Sequence, residues 1–134
     1  MSIFSALSIS ASGLQAERTR LDVIASNIAN VETTRTPEGG PYRRRVVVLQ
    51  TATQPQGTGI QVRVAGIEPA PEPPTRLYIP GHPDADADGY VLMPNVQLPT
   101  EMADMVLAAR AYEANAAAFR AGRELIRQAL SILA

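Results

Sequence analysis

Asp84, Asp86, Asp88 and Gly89, within the stretch DADADGYV at residues 84–91, have the spacing that opens an EF-hand calcium loop. In such a loop alternate carboxylates converge on a hard cation and a glycine makes the sharp turn. The match ends there. Counted from Asp84, the twelfth position should carry a bidentate Glu; it holds Asn95, preceded by Pro94 where an exiting helix should already run. Two flanking helices are missing as well. The pattern favours a solvated acidic turn whose Asp side chains satisfy local backbone donors, with a calcium-binding module on Asp84, Asp86 and Asp88 as the alternative.

No other group of residues assembles a reaction. His82 is the only histidine, which removes two-histidine zinc sites and a His-centred triad with a redundant base, and inside PGHPD it reads as a turn residue. Nothing among the Ser and Thr resembles a nucleophile elbow. Glu101 and Asp104, in PTEMADM, read as acidic charge favoured at a helix N-terminus, with Thr100 as its cap. GTGIQV (57–62) lacks the third Gly of a dinucleotide loop and leads into a strand, so it reads as a turn. The run Arg43–Arg45 has no wider basic face; a solvated strand edge or an interface pairing suits it better than nucleic acid. The expectation is a protein that is not an enzyme and needs no cofactor or metal.

Composition supports that reading. The 134 residues include no Cys, so disulfides, thiolate catalysis and Cys-based metal sites are excluded. All 12 basic residues are Arg, and a net charge of -1 argues against a dominant attraction to nucleic acid or an anionic membrane. No apolar run approaches the ~18 residues that span a bilayer, and the first basic residue is Arg18, so the start lacks the form of a secretory signal. With only two Phe, four Tyr and no Trp, the chain is short of bulk for a compact core.

The elements that must position these residues fall into three parts: 1–33, 34–99 and 100–134. In the first, Leu7, Leu14, Leu21 and Ile28 recur every seventh residue; in the last, Met105, Tyr112, Phe119, Ile126 and Leu133 do the same. Helices over these segments would be roughly 40 and 50 Å long. Neither can bury its stripe on the small middle part alone. The expected fold is therefore mainly α with a small β part, its two terminal helices pairing in a coiled-coil-like manner with each other, with neighbouring chains, or with both. Ala-rich faces favour additional packing between chains, and the stripe residues are the expected subunit interface. In the middle, YRRRVVVLQT (42–51) and GIQVRVAGI (59–67) read as a β-hairpin, while residues 68–83, with six Pro, read as an extended connection that cannot be a central strand.

The stretch SNIANVET (26–33) places two amides, Asn27 and Asn30, at the end of the first helix. Buried amides must find partners. A C-terminal cap explains Asn30 and leaves Asn27 over, so both are expected to tie the helix end to the chain that turns away from it.

ASGLQAERTRLDVIASNIANVETT resembles the N-terminal signature of the axial proteins of the bacterial flagellum, the rod, hook and hook-associated family. RTPEGGPYRRRVVVLQ, with GHPDADADGYVLMPNVQLPTEMADMVLAARAYEANAAAF, is similar in particular to its proximal-rod members. The resemblance runs nearly end to end. Asn27, Ala29 and Asn30 match the family's first signature; Asn95, Val96, Glu101, Met102, Met105, Arg110, Tyr112, Ala114 and Asn115 match its second. It implies a structural subunit of the proximal rod whose terminal helices build a tubular drive shaft around an export channel. It also implies a location in the basal body, across the periplasmic space, and export by the flagellar type III apparatus without signal cleavage. The implied partners are copies of the chain, other rod proteins, and the rod base with its MS ring, without insertion into the membrane. The longer TTRTPEGGPY and the small middle part depart from hook and distal-rod members and leave no outer domain. A wall-cleaving hydrolase would need two carboxylates in a cleft, and the acids here read as turns and helix starts.

Overall fold

A computed structural model describes residues 3–53 and 59–133. Two long helices, α1 (Ile3–Ala29) and α2 (Leu98–Leu133), run antiparallel along one another. Their register is set by close approaches: a Cβ on Gly122 would lie 2.7 Å from Leu7 Cδ2, and one on Gly13 would lie 2.8 Å from Asn115 Nδ2. The fully buried core is small, with Ala16, Val23, Ile24 and Ala108 along the helices. Of the heptad positions, Leu7, Leu14, Leu21, Ile28, Met105, Phe119 and Ile126 are half-buried, whereas Tyr112 and Leu133 are exposed. The chain is thus mainly α with a small β part, as its periodicity predicts.

α2 begins two residues before the expected position. Pro99 occupies its first turn, where a missing N–H costs nothing, and the Gln97 carbonyl accepts the Glu101 N–H at 3.0 Å. Thr100 consequently lies inside the first turn and is not the cap; its hydroxyl sits 3.4 Å from Gln97 Oε1.

Strands β1 (Arg45–Thr53) and β2 (Ile60–Pro69) form the expected antiparallel hairpin. Its register shifts between Val48, opposite Gly66, and Leu49, opposite Val64, so Ala65 is the extra residue of a bulge. The hairpin lies along α1: a Cβ on Gly59 would meet Ile9 Cδ1 at 2.9 Å, and the Val62 N–H donates to Ser12 Oγ at 3.2 Å. Most of GTGIQV falls at this edge, with Gly57 and Thr58 outside the described residues.

The connection read as merely extended contains a second hairpin, β3 (Thr75–Tyr78) with β4 (Tyr90–Met93). Pro is compatible with it because no Pro falls between 75 and 79 and both strands are sheet edges. Among the described residues this hairpin touches no other helix or strand. It rests on the loop after α1, with Val91 1% exposed. Its turn closes through Gly89, whose φ of +83° suits glycine, and a Cβ there would lie 2.8 Å from Tyr78 Cε2 and 3.1 Å from Pro80 Cβ. Gly89→Ala should weaken this hairpin by about 1–3 kcal/mol. Amide exchange should accelerate at 75–78 and 90–93 and stay unchanged in β1 and β2; equal protection in both forms would contradict this.

Candidate functional site

Asn27, two residues before the end of α1, is 1% exposed, and so is Glu101 in the first turn of α2. Antiparallel pairing brings them together. Asn27 Nδ2 donates to Glu101 Oε2 at 3.0 Å and to the Arg45 carbonyl at 2.9 Å. Its Oδ1 accepts the Tyr42 hydroxyl and the Arg45 N–H, each at 2.9 Å. All four hydrogen-bonding positions of the amide are therefore filled. The other oxygen of Glu101 is 2.6 Å from Arg44 Nε, and Arg44 Nη2 lies 3.9 Å from Asp104 Oδ2.

The junction thus joins α1, the loop after it, the start of β1 and the start of α2. A carboxylate buried this deeply needs a charge partner and further donors, and here it has Arg44, Asn27 and the positive end of α2. Among the described residues no buried side-chain nitrogen or oxygen lacks a partner. Asn30, by contrast, serves its own helix end: Nδ2 donates to the Ser26 carbonyl at 2.9 Å, and Oδ1 accepts the Thr33 hydroxyl at 3.1 Å. Of the two amides, only Asn27 ties the helix to distant chain.

Glu101 stands at a helix N-terminus, as its place in PTEMADM predicts, and is in addition a buried tertiary anchor. In the Arg43–Arg45 run, Arg44 turns inward to that anchor, while Arg43 and Arg45 stay exposed. The alternation of the strand start carries this signal, but three identical residues hide it.

The second signature scatters over several environments. Val96 is buried, Asn95 half-buried, and Asn115 donates to the Ala111 carbonyl at 3.1 Å where it meets Gly13. Met102, Arg110 and Tyr112 are exposed, with Arg110 3.1 Å from Glu113. Ala29 and Ala114 are exposed too.

The acidic turn is organised by donors from its own chain. Asp84 accepts from the Thr34 hydroxyl at 2.8 Å and pairs with Arg35. Asp86 Oδ1 accepts the Tyr90 N–H at 2.9 Å and the Asp88 N–H at 3.0 Å, while Oδ2 takes Arg76 at 2.8 Å. His82 Nδ1 accepts the Asp84 N–H at 3.0 Å, as a turn residue should. Asp84 turns to Thr34 and Arg35 while Asp86 and Asp88 turn to Arg76, and among the described residues no three potential ligands gather around one point. The calcium alternative has no supporting geometry.

The Thr34 hydrogen bond, followed by Arg35, holds the Asp84 carboxyl below its ordinary value. The Tyr90 backbone N–H, then Arg76, does so for Asp86. A depressed folded value means that the stabilisation is present above the unfolded pKa of about 3.9 and is lost as pH falls through the folded one. Asp84→Asn should therefore lower the urea midpoint at pH 7, with the gap to wild type closing as pH is taken well below about 4. A gap that persists unchanged into acid would contradict the ionic link between the loop after α1 and the acidic turn.

Beyond the junction, α2 exposes a series of large apolar side chains, among them Met102 (56%), Val106 (59%), Leu125 (57%) and Leu130 (61%). No helix among the described residues is long and apolar enough to cross a membrane.

Both signature segments have counterparts among known proteins. Residues 7–35 match the family described as flagella basal body rod protein, and residues 87–132 match that described as flagellar basal body rod FlgEFG protein C-terminal. The flagellar basal-body rod protein FlgC of Borreliella burgdorferi is 44% identical, covering 99% of each chain. FlgC of Yersinia enterocolitica is 43% identical over 98% of each. FlgC of Bacillus subtilis is 40% identical over 98% of this chain and 99% of its own. The first match holds Asn27 and the second holds Glu101, so the buried junction joins the two family-matched segments across the fold. The chain belongs to the FlgC family of flagellar basal-body rod proteins.

Proposed function

We propose that this structural rod subunit polymerises through its terminal helices, with copies of itself and with other rod proteins, into a shaft that transmits torque and encloses the export channel. The observation that carries the reading is the exposed apolar series on α2, which no other element among the described residues covers. Burial of such surface stabilises association by about 25 cal/mol per Å², so long helices with a thin internal core favour assembly. The Asn27–Glu101 junction supports the mechanical role, since it locks both helices to β1 and gives the subunit a rigid corner. Contacts with the rod base and the MS ring, a place across the periplasm, and export by the type III apparatus without signal cleavage complete the proposal. It assigns the chain no catalytic step, cofactor or nucleic acid.

Val106→Glu combined with Leu125→Glu tests it. Both positions are exposed, so the helices should still form, while basal bodies from cells carrying the variant should lack rods and the cells should not swim. Normal swimming with intact rods would overturn assembly through these side chains.

A further inference from the structure

Charge is distributed unevenly along the molecule. Residues 68–90 hold five acids and one Arg, whereas residues 114–133 hold three Arg, at 120, 123 and 127, and one acid, Glu124. The three arginines are exposed, share one face of α2 by their spacing of three and four, and make no ion pair among the described residues.

At the opposite end, β3 and β4 present a firm, partly aromatic surface. Tyr78 and Tyr90 stack edge to face at 5.2 Å, the Arg76 guanidinium lies 4.2 Å over the Tyr90 ring, and Asp86 holds Arg76 in place. Tyr78 is 60% exposed and Leu92 51%. Asp88, with 82% of its side chain exposed and Arg76 only at 4.0 Å, leaves a carboxylate at the rim. Preordered tyrosines beside an underused carboxylate suit an incoming guanidinium, which can stack on a ring and pair with the acid.

The two patches cannot meet within one chain. The hairpin joins α2 at its start, and Arg120 lies 22 residues along that helix from Leu98, about 33 Å away. We infer that the Arg120, Arg123 and Arg127 face of one subunit docks on the Tyr78, Tyr90 and Asp88 surface of a second copy. Charge complementarity selects that occupant. Joining opposite ends makes the contact head-to-tail, and repetition of such a contact gives an open helical array and not a closed dimer. The inference rests on the polymerisation proposed above and adds a specific contact to it.

Because the chain has no Cys, engineered thiols report the contact without background. Asp88→Cys combined with Arg123→Cys, in isolated basal bodies under mild oxidation, should yield a ladder of dimers and higher species, which either single substitution cannot extend past a dimer. Rods that assemble normally but give no ladder would overturn this contact while leaving the shaft reading intact. Absence of the wild-type chain from basal bodies would overturn both. Charge reversal provides the second measurement: Arg123→Glu with Arg127→Glu should reduce swimming-halo diameter at least twofold, and adding Asp88→Arg should restore it. Failure of the third substitution to restore the halo, with the chain present at wild-type level, counts against the pairing.

Discussion

Arg44→Ala should lower the stability of the chain by about 3–5 kcal/mol, because it strands the carboxylate of Glu101 in the interior without its cation. Glu101 is 1% exposed, and any water that enters where the guanidinium stood supplies no positive charge. For a domain whose whole stability is of order 5–15 kcal/mol, that loss leaves little native protein at moderate urea. The cost comes from the orphaned charge more than from the lost attraction. Arg44→Met combined with Glu101→Met should therefore recover most of it, leaving a deficit of about 1–3 kcal/mol for the Asn27 N–H that still lacks an acceptor. Urea unfolding followed by circular dichroism measures all three. A double variant no better than Arg44→Ala would mean that the pair itself supplies the stability.

Asn27→Ala should cost about 2–4 kcal/mol, against less than about 1.5 kcal/mol for Asn30→Ala. Removal of the Asn27 amide leaves the Tyr42 hydroxyl and the Arg45 N–H without their acceptor and takes a donor from Glu101. Asn30 gives up only bonds to Ser26 and Thr33, at a helix end that water can reach. Asn27→Asp retains an oxygen but places a second carboxyl about as close to Glu101 as the amide now lies, so it should be no better than Ala. Equal losses at the two positions, read from urea midpoints, would contradict the assignment of Asn27 alone to the junction.

The contrast between these two residues also marks how far sequence reaches. Periodicity identifies both helices to within about four residues, because a stripe that recurs every seven residues is a local property of the chain. The first hairpin is legible for the same reason. The second is not: six Pro in residues 68–83 argue for an irregular connection, and only the structure shows Thr75–Tyr78 slipping between Pro74 and Pro80 as an edge strand. A buried amide at the end of α1 announces that partners exist, but Glu101 lies 74 residues further along and had a sufficient local explanation as a helix-start acid. Arg44 was masked by identical neighbours on either side. Local rules account for each residue alone, and the joint emerges only when antiparallel pairing superimposes the two ends of the chain. The acidic turn was legible in part: Asp86 takes the local Asp88 and Tyr90 N–H groups as a turn reading expects, whereas Thr34, Arg35 and Arg76, the other partners of Asp84 and Asp86, come from elsewhere in the fold.

Coverage of the exposed apolar and charged side chains of α2 by other subunits is the proposal on which the rest depends. The most direct measurement is to delete the gene in its host and image basal bodies extracted from the cell envelope by electron microscopy. Rings without a rod, restored by the wild-type gene and not by Val106→Glu with Leu125→Glu, are the expected result. Intact rods and normal motility in the deletion strain would contradict it.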